Sequence, residues 1–250
     1  MAETQIDKCL WPPLPEPYAQ ALKDAVAFVL GRFDPLGMIA AGSVIAGNPD
    51  PSSDLDLYVV NSESKRQRIQ KFFNGVPCEI FINPAKTIEG YLSREQREGR
   101  PVTAHMLVTG FVILDTDPAV EQLRQRGREV LAGQPNPDEL QLTILRYAAA
   151  FEYEDAVDVS HRDPAAANML LSSAVRKMLH YSFMKSNRYI PRDKDLLESL
   201  RGADSALGAS VIEFYKATDL DRRLELAEII AKRTIETHGF FEWDSPLEEV

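Results

Sequence analysis

Cysteine is nearly absent from this chain: Cys9 and Cys78 are the only two in 250 residues. Two cysteines cannot make a disulfide framework, and no Cys/His spacing resembles a zinc site. Both are expected to be free thiols of a cytosolic protein. Long apolar runs are missing as well. The longest, such as Met106–Leu114, are too short and too interrupted to cross a bilayer. Met1–Leu10 carries acidic and polar residues where a signal peptide needs an apolar core, so a cytoplasmic location is expected. Positive charge is short too, with a formal net charge of −10. No basic stripe stands out, which argues against holding a nucleic-acid polymer, because phosphate neutralisation dominates such binding. A small or cationic partner is compatible with that balance. The four histidines, His105, His161, His180 and His238, share no ligand spacing. His105, just ahead of an apolar strand, is the one worth testing.

What is present suffices for a real core. Hydrophobic residues make up 44% and charged residues 26% of the chain, an ordinary balance for a soluble globular protein. The first half alternates in type. Tyr18–Phe33 reads as a helix with Leu22, Val26, Val29, Leu30 and Phe33 on one stripe. Met38–Ala41 is a short apolar strand running into Gly42-Ser43, and Gly47–Ser53 is a loop rich in turn residues. Asp54–Val59 alternates as a strand with one polar face. Ser62–Phe73 reads as a polar helix ended by Asn74-Gly75, Val76–Ile82 as a strand, Pro84–Arg97 as a helix and Phe111–Leu114 as a last short strand. This order predicts a small sheet with helices packed on it.

Around Gly133–Asp138 the prolines Pro135 and Pro137 punctuate the chain, and strand signals fade beyond them. Leu140, Ile144, Tyr147 and Phe151 fall on one helical stripe. Leu171, Val175 and Met178 form a second, and Leu220, Leu224, Ala227 and Ala231 a third. The second half therefore reads as a helical bundle. The acidic tail Glu242–Val250 is expected outside the core, with Phe240, Phe241 and Trp243 available to dock part of it.

The chemistry concentrates in Asp54-Leu55-Asp56-Leu57. On a strand, residues two apart share a face at roughly 6–7 Å, so the two carboxylates repel unless something positive lies between them. A divalent cation does this, and Mg²⁺ prefers one or two carboxylates plus phosphate oxygens. The plain alternative is a solvent-facing strand with two ordinary acids. Gly42 would let the backbone approach a phosphate closely, and the Ser43 hydroxyl could hold its oxygens; the plain alternative is a simple turn. Glu79 is a charged residue inside the apolar run Cys78–Ile82, which points to pairing or metal binding, or else to an edge face. Glu152, Glu154 and Asp155 form an acidic group on the helix after the linker. Such a group is either a solvated helix face or a wall suited to a cationic sugar.

Ala41-Gly42-Ser43, a spacer, and Ser53-Asp54-Leu55-Asp56-Leu57, with a third acid, Glu79, on a later strand, resemble the signature of the polymerase-beta-type nucleotidyltransferase superfamily. A catalytic half followed by a helical half is similar to the aminoglycoside and lincosamide nucleotidyltransferases and their uncharacterised relatives. Asn187–Lys194 resembles a basic loop of the streptomycin/spectinomycin-modifying branch. One departure is that Val44-Ile45-Ala46 carries no arginine, where many members have one shortly after the Gly-Ser.

The resemblance implies an α/β (α+β) nucleotidyltransferase domain with a small mixed sheet over residues 1–134. An all-α, acceptor-binding helical bundle would follow over residues 135–250. Asp54, Asp56 and Glu79 would be the catalytic and metal-binding residues, holding Mg²⁺ or Mn²⁺. Whether Glu79 is a ligand or takes the acceptor's proton is left open. Gly42, Ser43, Ser53, Arg192 and Lys194 would hold the nucleotide. The reaction implied is transfer of a nucleoside monophosphate, AMP from ATP or its equivalent from another NTP, to a hydroxyl of a small molecule such as an antibiotic, releasing pyrophosphate. The alternatives are a protein-modifying antitoxin-type transferase and a non-catalytic nucleotide- or partner-binding protein. For the antitoxin type, Arg176–His180 falls one residue short of the spacing of the associated ribonuclease motif. Both monomer and homodimer are compatible with the resemblance.

Overall fold

The computed structural model describes residues 5–247. The chain forms two compact units. One holds the residues up to Gln96 together with Pro101–Gly133, and the other holds Arg97–Arg100 and the chain from Gln134 on.

The first unit is built on a mixed five-stranded sheet in the order β3-β4-β2-β1-β5. Its strands are β1 (Pro35–Ala41), β2 (Leu55–Asn61), β3 (Gln67–Phe73), β4 (Val76–Pro84) and β5 (Phe111–Asp115). Only β2 and β4 run parallel; every other neighbouring pair is antiparallel. Helix α1 (Tyr18–Leu30) places Ala21, Leu22, Ala25, Val26, Val29 and Leu30 on one buried stripe. That stripe shares a core with Leu55, Leu57 and Val59 of β2 and with Cys78, Ile80 and Ile82 of β4. Each fully buried aliphatic side chain there contributes about 1.5–3 kcal/mol relative to exposure. The alternate residues of β2, Asp56, Tyr58 and Val60, point to the opposite face by the two-residue period of a strand.

Helix α2 is a single turn, Gly42–Ile45; α3 (Ala85–Glu98) and α4 (Val102–Thr109) lie between β4 and β5, and α5 (Pro118–Ala132) follows β5. Helix α5 begins on Asp117, whose carboxylate accepts from the Ala119 N–H, with Pro118 in the first helical position.

The segment expected as a polar helix over Ser62–Phe73 is instead extended from Gln67 to Phe73 and pairs with β4. Asn74 and Gly75, with φ of 47° and 78°, form the two-residue turn of a β-hairpin. The strand reads as polar because it lies at the sheet edge, where only Ile69 and Phe73 turn inward.

The second unit is helical: α6 (Glu139–Val159), α7 (Pro164–Lys185), α8 (Leu196–Ala203), α9 (Ser205–Lys216) and α10 (Leu220–Thr234). Asp138, Asp163, Asp204 and Asp219 each accept a backbone N–H at the start of a helix, so part of the acidic composition serves as helix caps. Residues 97–100 join this unit because Gly99 accepts from the Ile190 N–H at 2.8 Å and Arg100 pairs with Asp193 at 2.8 Å.

The stripe read on α6 is helical but does not face the core: Ile144, Tyr147 and Phe151 are exposed. The buried face of α6 is Ala149, Ala150, Tyr153 and Ala156, and its three alanines let α7 approach closely with Leu171, Val175 and Met178. The large side chains face outward, where Tyr147 meets Phe151 and Trp243 at ring distances of 5.9 and 5.8 Å. The tail residue Phe241 packs on the core, Phe240 is exposed, and residues 248–250 lie outside the described part. Among the described residues no helix is long and apolar enough to cross a membrane.

Gly110, between α4 and β5, sets a packing limit. A Cβ there would lie 2.5 Å from the Met106 carbonyl oxygen and 2.7 Å from that of Ala40. Gly110→Ala should therefore lower the urea midpoint, at a cost of about 1–3 kcal/mol. Gly90, inside α3 with nothing within 4 Å of a Cβ, should behave oppositely. Gly90→Ala is expected to add about 0.5–1 kcal/mol.

Candidate active site

The end of β1, the start of β2 and the first half of β4 meet on the face of the sheet opposite the α1 core. Asp56 lies opposite Ala41 of β1 on one side and opposite Glu79 of β4 on the other. Asp54 immediately precedes β2. Asp54, Asp56 and Glu79 each offer a carboxylate oxygen within 4.8 Å of one another, and all three are half-buried.

Where β1 ends, Gly42 turns the chain with φ of 87°. A Cβ at Gly42 would lie 2.6 Å from Asp56 Oδ2, so the backbone crowds the carboxylate more closely than any side chain permits. The loop that follows folds back on itself. Asn48 N–H donates to the Ser43 carbonyl at 3.0 Å, and the Ser43 and Ser53 hydroxyls meet at 2.7 Å. Ser53 Oγ also accepts from the Asp50 N–H at 2.8 Å. Gly42, Ser43 and Ser53 thus sit on one turn beside the carboxylates.

Charge crowding shows in Asp56. Burial, then Asp54 and Glu79, push its carboxyl from 3.8 to about 6, while Arg68 pulls it back. On the buried face, burial and the same three acids push the Cys78 thiol up to about 12, so it remains protonated at neutral pH. Glu79 is held from the hairpin strand. Arg68 Nη2 donates to its two oxygens at 2.9 and 2.7 Å, and Gln70 Nε2 donates to Oε1. The Arg68 guanidinium also lies over the Phe81 ring, 4.9 Å from its centroid.

Three clustered carboxylates, with the proton affinity of Asp56 raised, are a donor set that suits a hard divalent cation such as Mg²⁺ or Mn²⁺. The residues present fit such an ion.

Arg68 is the group that reading the segment as a helix hides. The signal for it is Asn74-Gly75 taken as a hairpin turn. Counting outward from that turn pairs Gln70 with Glu79 and Arg68 with Phe81, as observed.

Arg192 and Lys194 lie in the helical unit, and the Arg192 Nε donates to Asp195 at 2.6 Å. The acidic group on α6 divides. Glu152 takes Lys177 of α7, whereas Glu154 lines a cavity of about 560 Å³ with Tyr147, Phe151, Phe241, Glu242 and Trp243. His105 is on α4, and His180 of α7 is held down to about 4 by burial and by Arg100 and Arg176, so it is neutral.

No protein-family model matches the chain, and no curated protein matches it by sequence. Among solved structures it is similar to one described as a nucleotidyltransferase-like protein from Exiguobacterium sibiricum 255-15. The TM-score is 0.53 at 15% identity, covering 87% of this chain and 74% of that one. The chain therefore has a nucleotidyltransferase-like fold.

Since the folded protein holds Asp56 at about 6 against 3.8 when unfolded, it binds more protons than the unfolded chain between those values. Stability contributed at this position falls as pH rises through that window. In chelator, Asp56→Asn should melt about 2–4 °C above the wild type at pH 8, for about 1 kcal/mol after solvent screening. The gap should close as pH falls from 6 toward 4. A pH-independent gap would remove the crowding account.

Proposed function

We propose that this protein is a divalent-metal-dependent nucleotidyltransferase that moves a nucleoside monophosphate, AMP from ATP, to a hydroxyl of a small-molecule acceptor. The observation that carries the reading is the convergence of Asp54, Asp56 and Glu79 within 4.8 Å beside a Gly42 turn that only glycine fits. A nucleotidyltransferase-like fold around that group supports it.

Asp54, Asp56 and Glu79 would hold the metal ion, which supplies neutralisation of the negative charge gathered at the α-phosphate. Ser43 and Ser53, already paired at 2.7 Å, would turn their hydroxyls to phosphate oxygens. Gly42 lets the backbone lie against the Asp56 carboxylate where a side chain would push it away. The acceptor hydroxyl oxygen bonds to the α-phosphorus as the bond to pyrophosphate breaks, and the hydroxyl proton leaves to a site carboxylate or solvent.

We also assign acceptor recognition to the helical unit. Its cavity of about 560 Å³ has the size of a small-molecule site. Aromatic walls carrying Glu154 and Glu242 suit a cationic acceptor, such as an aminoglycoside, better than an anionic one. The net charge of −10 favours a small molecule over a nucleic-acid polymer. A cytoplasmic setting suits a reaction that draws on ATP.

The test is transfer of label from ATP or GTP, with Mg²⁺, to a panel of aminoglycosides, lincosamides and candidate proteins. Asp54→Ala and Asp56→Ala should each lower the rate by roughly 10²–10³ or more. Undiminished transfer in Asp56→Ala, or no transfer together with no metal–nucleotide binding by calorimetry, would overturn the proposal.

A further inference from the structure

We propose that Arg68 is a resident counter-cation that a divalent metal displaces from Glu79, and that the displaced guanidinium passes to the phosphates of the nucleotide. The proposal rests on the metal–nucleotide reading of the same site.

Both oxygens of Glu79 are engaged. Oε1 accepts from Arg68 and Gln70, and Oε2 accepts from Arg68 at 2.7 Å. Those are the oxygens a metal shared with Asp54 and Asp56 needs. A cation bound to the same carboxylate would face the guanidinium across one oxygen, and the two positive charges repel. Metal and Arg68 therefore compete for Glu79.

The two partners differ in freedom. The Glu79 side chain is 15% exposed and the Arg68 side chain 62%. Glu79 is fixed on β4 between β2 and β3, whereas Arg68 rises from the edge strand, pairs with Glu79 and lies over the Phe81 ring. Arg68 can swing away without opening any core. Its positive charge also acts on Asp56. Once it leaves Glu79, its planar donor fork needs an anionic partner, and phosphate oxygens match it in the same two-point geometry as a carboxylate. Metal loading and nucleotide loading are thereby coupled: each supplies what the other's arrival displaces.

Mn²⁺ binding, followed by its electron paramagnetic resonance and by calorimetry, tests the first half. Without nucleotide, Arg68→Ala should bind Mn²⁺ about three- to tenfold more tightly than the wild type, the range of a partly exposed two-point ion pair. Arg68→Lys, which keeps the charge and loses the fork, should fall between them. In a Glu79→Gln background the gain from Arg68→Ala should vanish, because a contact competed for is gone; a purely through-space field would leave it in place. The second half predicts that the magnesium complex of a non-hydrolysable ATP analogue binds Arg68→Ala about tenfold more weakly. Melting curves check that each variant is folded.

Equal or weaker Mn²⁺ binding by folded Arg68→Ala overturns the proposal while the nucleotidyltransferase reading stands, as does a gain that persists with Glu79→Gln or unchanged affinity for the analogue. Absence of millimolar Mn²⁺ binding by the wild type sinks both readings together.

Discussion

Asp56 and Glu79 face each other across the parallel pairing of β2 and β4, with Asp54 one step outside the strand, and a sheet that gathers three carboxylates must manage their repulsion. Much of the first unit can be understood as that management. The alternate residues Leu55, Leu57 and Val59, with Cys78, Ile80 and Ile82, anchor the two strands in a core against α1, so the strands cannot part to relieve the charge. Gly42 brings backbone rather than side chain against Asp56. Arg68 and Gln70 come from the hairpin to take up Glu79. Burial, and then what remains of the repulsion, raise the proton affinity of Asp56, a state a divalent cation would relieve.

The helical unit solves a different problem. Its acidic residues are not one population. Aspartates at the helix starts stabilise the helices through backbone N–H groups, Glu152 is paired across to α7, and Glu154 stands in an aromatic-walled cavity. The net charge therefore says less about partners than it first suggests, because a share of it is structural. The outward aromatics of α6 follow from its alanine face. Alanines let α7 pack closely, and the bulky residues are left to line the cavity with the tail.

Several features were legible in the chain itself. Alternation along Leu55–Val59 places Asp56 on the face opposite the aliphatic residues whatever the rest of the fold does, since side chains in a strand alternate by geometry, and Asp54 lies one residue before that strand. Gly42-Ser43 after an apolar strand, and the loss of strand patterning beyond Pro137, are equally local signals. The mixed sheet followed by helices came from these. Ser62–Phe73 was not legible as read, because an edge strand with one wet face and few inward residues has the composition of a polar helix. Its turn, Asn74-Gly75, held the better information. The α6 stripe misled for a related reason: periodicity shows that residues share a face, not that the face is covered.

The sequence by itself determined which residues lie on common faces, because strand and helix periods are properties of the backbone. Only the tertiary structure decided which faces meet. Glu79 joins Asp54 and Asp56 through a parallel register between strands separated by a hairpin, and Arg68 reaches Glu79 through the antiparallel register of that hairpin. Pairing across strands depends on which elements the core brings side by side, a non-local choice made by burial of the apolar faces and not by the spacing of the acids.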